Sequence, residues 1–107
     1  MITIDEFRKL QIIIAQIKEV KEHPNADKLY VIKVDTGTEE KQLVAGIRKS
    51  YTTKETLIGR RVIIVNNLQS AVIRGEESQG MILAASDDEG ISILQPDRDV
   101  KLGSIVK

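Results

Sequence analysis

Apolar and polar positions alternate along most of this chain, and helical spacing replaces that alternation in only two short stretches. In residues 1–10, Ile4, Phe7 and Leu10 recur at helical spacing behind Thr3, a residue suited to capping a helix start, so a short amphipathic helix is expected there. The stretch QIIIAQIKEV is rich in β-branched residues and predicts a long first strand. Its alternation breaks between Ile14 and Ile17, where a bulge or coil is expected. KEHPNADK supplies turn chemistry through Pro24 and Asn25. In LYVIKVD, Tyr30, Ile32 and Val34 share one face, while Val31, Lys33 and Asp35 share the other.

TGTEEK then closes a hairpin around Gly37, with QLVAGI as its return strand. YTTKETLIG carries a capping-box pattern, Thr52 followed three residues on by Glu55, and Gly59 is placed to end one or two helical turns. RRVIIVNNL predicts a fourth strand, GMILAAS a fifth, ISIL a sixth after the DDEG turn, and VKLGSIVK a last one. Three strands, a short helix and two more strands is the order of an all-β, five-stranded Greek-key OB barrel, a fold that commonly binds oligonucleotides. An SH3-like barrel or a small sandwich would show similar spacing. Residues 1–10 and 86–107 carry more apolar side chains than a five-stranded core readily absorbs, among them Ile4, Phe7, Val100, Leu102, Ile105 and Val106. These segments either cap the barrel or form a self-complementary patch; a homodimer is the expectation.

At 107 residues the chain is expected to be one domain, with a core barrel at about 11–85. It has no Cys, so neither a disulfide framework nor a thiolate metal site is expected. MITIDEFRKL lacks the apolar core of a secretory leader, and no apolar run is long enough to cross a membrane as a helix; the cytoplasm is the expected compartment. The formal net charge is zero, yet the charges are segregated. From Lys41 to Gly75 seven basic residues face one acid, a net +6; from Glu76 to Asp99 seven acids face one base, a net −6. A chain polarised in this way can present a basic face to phosphates.

Four motifs, HPNADKLYVIKVD, LVAGI, VNNL and IRGEESQGMILAA, occur in the order and spacing of the tRNA-binding OB-fold domain, and the chain resembles that family from about Asp5 to Lys107. Its members include C-terminal domains of methionyl-tRNA synthetases, free-standing dimeric tRNA-binding proteins and cytokine-like synthetase-associated factors. The resemblance implies a non-catalytic module that binds the folded shape of tRNA, as a homodimer, and raises a synthetase's hold on its substrate. It places Arg74, Ser78 and Met81 on the binding face, with Asn67 and Lys33 beside them. The chain departs from the family pattern at Gln69, Ser70 and Val72, where Lys-Pro and a further Lys are usual, and at Ile13 and Ala15, where Arg and Gly are usual. Affinity for tRNA is then expected either to fall below the family's or to lean on Arg48, Lys49, Arg60 and Arg61 instead.

The residues bear on this reading directly. Single-strand binders stack bases on aromatic platforms, and this chain has only Phe7, Tyr30 and Tyr51. Phosphate and shape recognition needs placed cations, amides and hydroxyls instead. Arg74 offers a fork for a phosphate, Ser78 and Gln79 can bond a phosphate or a 2′-hydroxyl, and Met81 is an adaptable apolar contact. Asn25-Ala26-Asp27-Lys28 reads as a turn in which Asp27 bonds backbone amides, leaving Lys28 as a phosphate contact. His23, alone of its kind, is expected to be structural. Asp87-Asp88-Glu89 lacks the spaced ligands of a calcium loop, and no nucleophile–base pair or carboxylate dyad is present; no metal, cofactor or catalysis is expected. The competing reading is a dimeric secretion-chaperone-like OB protein that binds unfolded peptides, and a plain dimerisation module for a synthetase is a third.

Overall fold

A computed structural model describes all 107 residues. Its centre is a curled five-stranded antiparallel sheet in the order β3-β2-β1-β4-β7, formed by β1 (Ile12–Glu22), β2 (Tyr30–Asp35), β3 (Glu40–Ala45), β4 (Arg61–Val65) and β7 (Met81–Ile82). Two small hairpins flank it, β5 (Ala71–Ile73) with β6 (Glu76–Ser78), and β8 (Ala84–Asp87) with β9 (Gly90–Ile93).

β1 serves two partners in succession. Ile12–Gln16 pair with β4 and Gln16–Glu22 pair with β2, so Gln16 lies between Asp35 and Arg61. The register slips between Ile17 and Glu19, which makes Lys18 the extra residue; the bulge falls just after the stretch where alternation breaks in the sequence. Ile13, Ala15 and Ile17 point into the core with Tyr30, Ile32, Val34, Leu43, Val62 and Ile64. The alternation in β2 is thus realised, with Lys33 exposed on the opposite face.

Where β1 turns from β4 to β2, the front half of its other edge would be left bare. The C-terminal tail fills it. The Ile14 amide donates to the Ser104 carbonyl, and the Gly103 and Val106 amides donate to the Ile14 and Ile12 carbonyls. VKLGSIVK therefore forms one bridge, Ile13 to Ile105, rather than the expected last strand. Covering a bare edge meets the hydrogen-bonding demand of β1 with few residues.

The expected short helix is present, and two other expectations change. The helix, α1, is a single turn, Ile4–Phe7, because Thr3 and Glu6 close a full capping box but nothing beyond Phe7 is buried to extend it. The Thr52–Glu55 capping box does not form. Lys54–Leu57 is a 3₁₀ turn behind Thr53, pinned when Gly59 donates to the Ile17 carbonyl and Ile17 to the Arg60 carbonyl, which seats Leu57 in the core. GMILAAS is not one strand either: Leu83 donates to Ile63 at the end of β7, and the chain then leaves to pair β8 with β9. That second hairpin returns Ile93 to the core, its amide held by the Tyr51 hydroxyl at 2.9 Å.

Candidate nucleic-acid interface

The segment 71–80 is a hairpin and a seam. Ile73 pairs with Glu76, so Arg74-Gly75 is a two-residue turn, and φ is positive at both positions, +55° and +93°. That is the signature of a type I′ turn, whose twist suits the flanking strands. Arg74 is the one non-glycine residue with positive φ. A side chain that disfavours the left-handed region by about 1 kcal/mol is held at the tip of an exposed hairpin.

Beyond β6 the chain closes the barrel against β3. The Gln79 amide donates to the Gln42 carbonyl at 2.8 Å, and the Gln42 amide donates back to the Gln79 side-chain oxygen at 2.9 Å. Ser78 is 5% exposed; its hydroxyl accepts from the Val44 amide and donates to the Gly80 carbonyl, each at 3.0 Å. Gly80 passes so near β4 that a Cβ there would lie 2.8 Å from the Val65 carbonyl oxygen. Ser-Gln-Gly is thus a closure device. Ser78, expected as a ligand contact, spends its hydroxyl on the fold, and Gln79 spends its side-chain oxygen there while its side-chain amide nitrogen has no partner in the chain.

His23 ties the hairpin to the loop that follows β1. It is buried, its Nε2 lies 3.0 Å from the Ile73 carbonyl, and its Nδ1 accepts from the Asn25 amide at 3.0 Å. One neutral tautomer, protonated at Nε2, satisfies both contacts. Across the gap the Arg74 guanidinium donates to the Asn25 carbonyl at 3.1 Å. Arg48 braces the far side of this loop: it pairs with Glu22 at 3.1 Å, donates to the Ala26 carbonyl and lies 5.9 Å from the Tyr30 ring centre. With these contacts the loop does not use Asp27 for its amides, contrary to expectation; the Asp27 carboxylate has no hydrogen-bond or ion-pair partner in the chain, and neither has the exposed Lys28 ammonium.

The other expected site residues divide by whether the fold occupies them. Asn67 is a staple, accepting from the Gln11 amide at 2.8 Å and donating to the Lys9 carbonyl at 2.7 Å. Arg60 donates to Thr56 and lies over Tyr51, and Arg61 pairs with Asp99 at 3.4 Å, joining the basic segment to the acidic one. Lys33 is exposed beside Gln42, Glu77 and Gln79. Lys49 is exposed near Asp87 and Glu89. Met81 is half exposed over an apolar depression with Val44, Ile47, Leu83 and Ile91. Among the expected site residues the free cations are therefore Lys28, Lys33, Lys49 and, with one anchored nitrogen, Arg74.

No aromatic ring offers a stacking platform. Tyr30 is 1% exposed, with its hydroxyl donating to the Tyr51 carbonyl at 2.6 Å, and Phe7 and Tyr51 are half-buried. Burial raises the Tyr30 pKa above its ordinary 10.0, Arg48 opposing in part. Of the expected interface residues, Ile4 and Ile105 are 61% and 74% exposed, while Phe7, Val100, Leu102 and Val106 are half-buried.

The curled five-stranded antiparallel sheet with its two flanking hairpins is the architecture of an OB-type module. The chain belongs to the tRNA-binding domain family: residues 12–105 match the family model described as "Putative tRNA binding domain". It is 51% identical over 106 residues to the methionine–tRNA ligase of Thermococcus kodakarensis and 52% identical over 106 to that of Pyrococcus furiosus. In each case 99% of this chain is covered, but it spans only 14% of the relative's length. Among solved structures, a MetRS-related protein from Pyrococcus horikoshii matches with a TM-score of 0.90 at 31% identity, covering 100% of this chain and 98% of that one. A CsaA chaperone protein from Picrophilus torridus matches with a TM-score of 0.92 at 31% identity, covering 100% of both.

Proposed function

We propose that this domain binds folded tRNA without catalysing a reaction, as the C-terminal tRNA-binding and dimerisation domain of a methionyl-tRNA synthetase or as a free-standing relative, in the cytoplasm. The observation that carries this reading is Arg74: an arginine kept in a left-handed turn position, one nitrogen anchored on Asn25, beside the unpaired Lys28. A turn needed only for geometry would favour Asn or Gly there. The binding surface runs from Lys28 and Arg74 towards Lys33 and Met81, with Lys49 as a further cation. Ser78, Gln79 and Arg48 act by holding that surface in place, and Asn67, Arg60 and Arg61 brace its surroundings. The exposed Ile4 of α1 and Ile105 of the tail, together with the half-buried Phe7, Val100, Leu102 and Val106, support a two-fold contact between copies.

The likeness to the CsaA chaperone protein and the apolar depression at Met81 support a second reading, capture of unfolded peptide. One titration separates the two. Anisotropy of labelled, folded tRNA is followed at several salt concentrations, with single-stranded DNA and an unfolded polypeptide as competitors. Shape and phosphate recognition predicts binding that resists both competitors and weakens by about two decades between about 50 and about 200 mM salt, as some four phosphate contacts require. Displacement by the polypeptide favours the chaperone reading, and absence of binding favours a bare dimerisation module.

A further inference from the structure

The loop after β1 and the Arg74-Gly75 turn enclose a cleft of about 450 Å³ lined by Asn25–Leu29 and Arg74. Both walls are fixed, one by His23 and Arg48 and the other by the type I′ turn, so the cleft is formed before any ligand arrives. Its chemistry is mixed in a telling way. Lys28 and Arg74 suit a phosphate, but the exposed Asp27, next to Lys28 on the same lining, has no partner within the chain. A free carboxylate beside a phosphate repels it, unless the ligand brings a donor. The RNA backbone carries one such donor at every nucleotide, the ribose 2′-hydroxyl, and DNA lacks it.

We propose that this cleft takes one ribose with its adjoining phosphate, Lys28 and Arg74 facing the phosphate oxygens and Asp27 accepting the hydrogen bond of the 2′-hydroxyl. Asp27 thereby makes the site selective for RNA over DNA whatever the base. The same carboxylate that rewards a ribose opposes a deoxyribose, which leaves it unpaired next to a phosphate. This inference rests on the proposed binding of tRNA and specifies which chemical group of it is read.

The test measures the affinity of the full chain for a tRNA transcript and for an all-deoxy strand of the same sequence, in wild type, Asp27→Ala, Asp27→Asn and Lys28→Ala. Differences of shape between the two strands are common to all four proteins, so the change in the RNA-to-DNA affinity ratio isolates the side chain. Asp27→Ala lowers that ratio about fivefold to tenfold, with deoxy binding unchanged or tighter. Asp27→Asn, which keeps an acceptor oxygen, retains most of the ratio. Lys28→Ala weakens both strands alike and lowers the salt slope by about one. Thermal unfolding of Asp27→Ala matches wild type, because the carboxylate has no partner in the chain. An unchanged ratio in Asp27→Ala, or an equal loss for both strands, overturns the ribose reading while leaving tRNA binding intact. Failure of the wild type to bind the transcript overturns both.

Discussion

Arg74→Asn separates stability from binding by sign. Arg74 sits at φ +55° in a two-residue turn before Gly75, and the substitution creates Asn-Gly, the dipeptide this turn type favours most. Relief of left-handed strain is worth about 0.5–1 kcal/mol, since Asn tolerates that region far better than a long side chain. Against it stands the exposed hydrogen bond from the guanidinium to the Asn25 carbonyl, worth about 0.5 kcal/mol in water. The sum is a variant equal to wild type or more stable by up to about 0.5 kcal/mol, a rise in Tm of no more than about 4 °C. Binding moves the other way. Loss of one guanidinium–phosphate contact weakens tRNA by about fivefold at moderate salt and reduces the salt slope by about one. Urea and thermal unfolding read the first quantity, and anisotropy across a salt series reads the second. Arg74→Lys, which keeps the charge and loses the fork, falls between the two on binding. A variant that is less stable by about 1 kcal/mol or more, and binds tRNA as wild type does, would refute the assignment and make Arg74 a structural residue.

Ser78→Ala strands the Val44 amide and the Gly80 carbonyl at the seam, so unfolding in urea should show a loss of about 1–3 kcal/mol, and a loss below about 0.5 kcal/mol would contradict the closure role. Deleting residues 96–107 bares the front edge of β1 and removes Ile105; light scattering should report monomers or insoluble protein, and a soluble, well-behaved dimer would count against the proposed interface. Tyr30 gives an alkaline signature. Its pKa is raised in the folded state by burial, so above about pH 10 the unfolded chain loses its proton first and stability falls as pH climbs through the folded value; below pH 10 it makes no contribution to the slope. Tyr30→Phe should flatten that decline in unfolding measured from pH 9 to 11.5, at the cost of the hydroxyl's bond to Tyr51.

What could be read from the sequence depended on how far apart the interacting residues lie. The faces of β2 follow from neighbours two residues apart, and Thr3 caps a residue three away; both were legible. The type of the Arg74-Gly75 turn was not legible, because local rules disfavour an arginine in that conformation and the right-handed twist of the flanking strands overrides them. Ser78 and Gln79 looked like ligand donors because their partners, Val44 and Gln42, lie on a strand more than thirty residues earlier. Asn67 reaches Lys9 across 58 positions, a distance at which no local pattern speaks. Asp27 failed in the opposite direction. Its local turn chemistry was plausible, but His23 and Arg48 hold the loop, and the carboxylate is left without a partner in the chain.

The divided pairing of β1 also sets an order of assembly. Its rear half, Gln16–Glu22, meets β2 across a short loop, whereas its front half meets β4 with Ile14 opposite Ile63, roughly fifty residues away along the chain. Closing the longer loop costs more entropy before any contact compensates, which predicts that the β1–β2–β3 meander forms early and the front half zips late. Loosening packing at Ile13 then accelerates unfolding and leaves the folding rate nearly unchanged, while the same insult at Ile32 slows folding. One strand thus carries both the start of the folding reaction and the brake on its reversal.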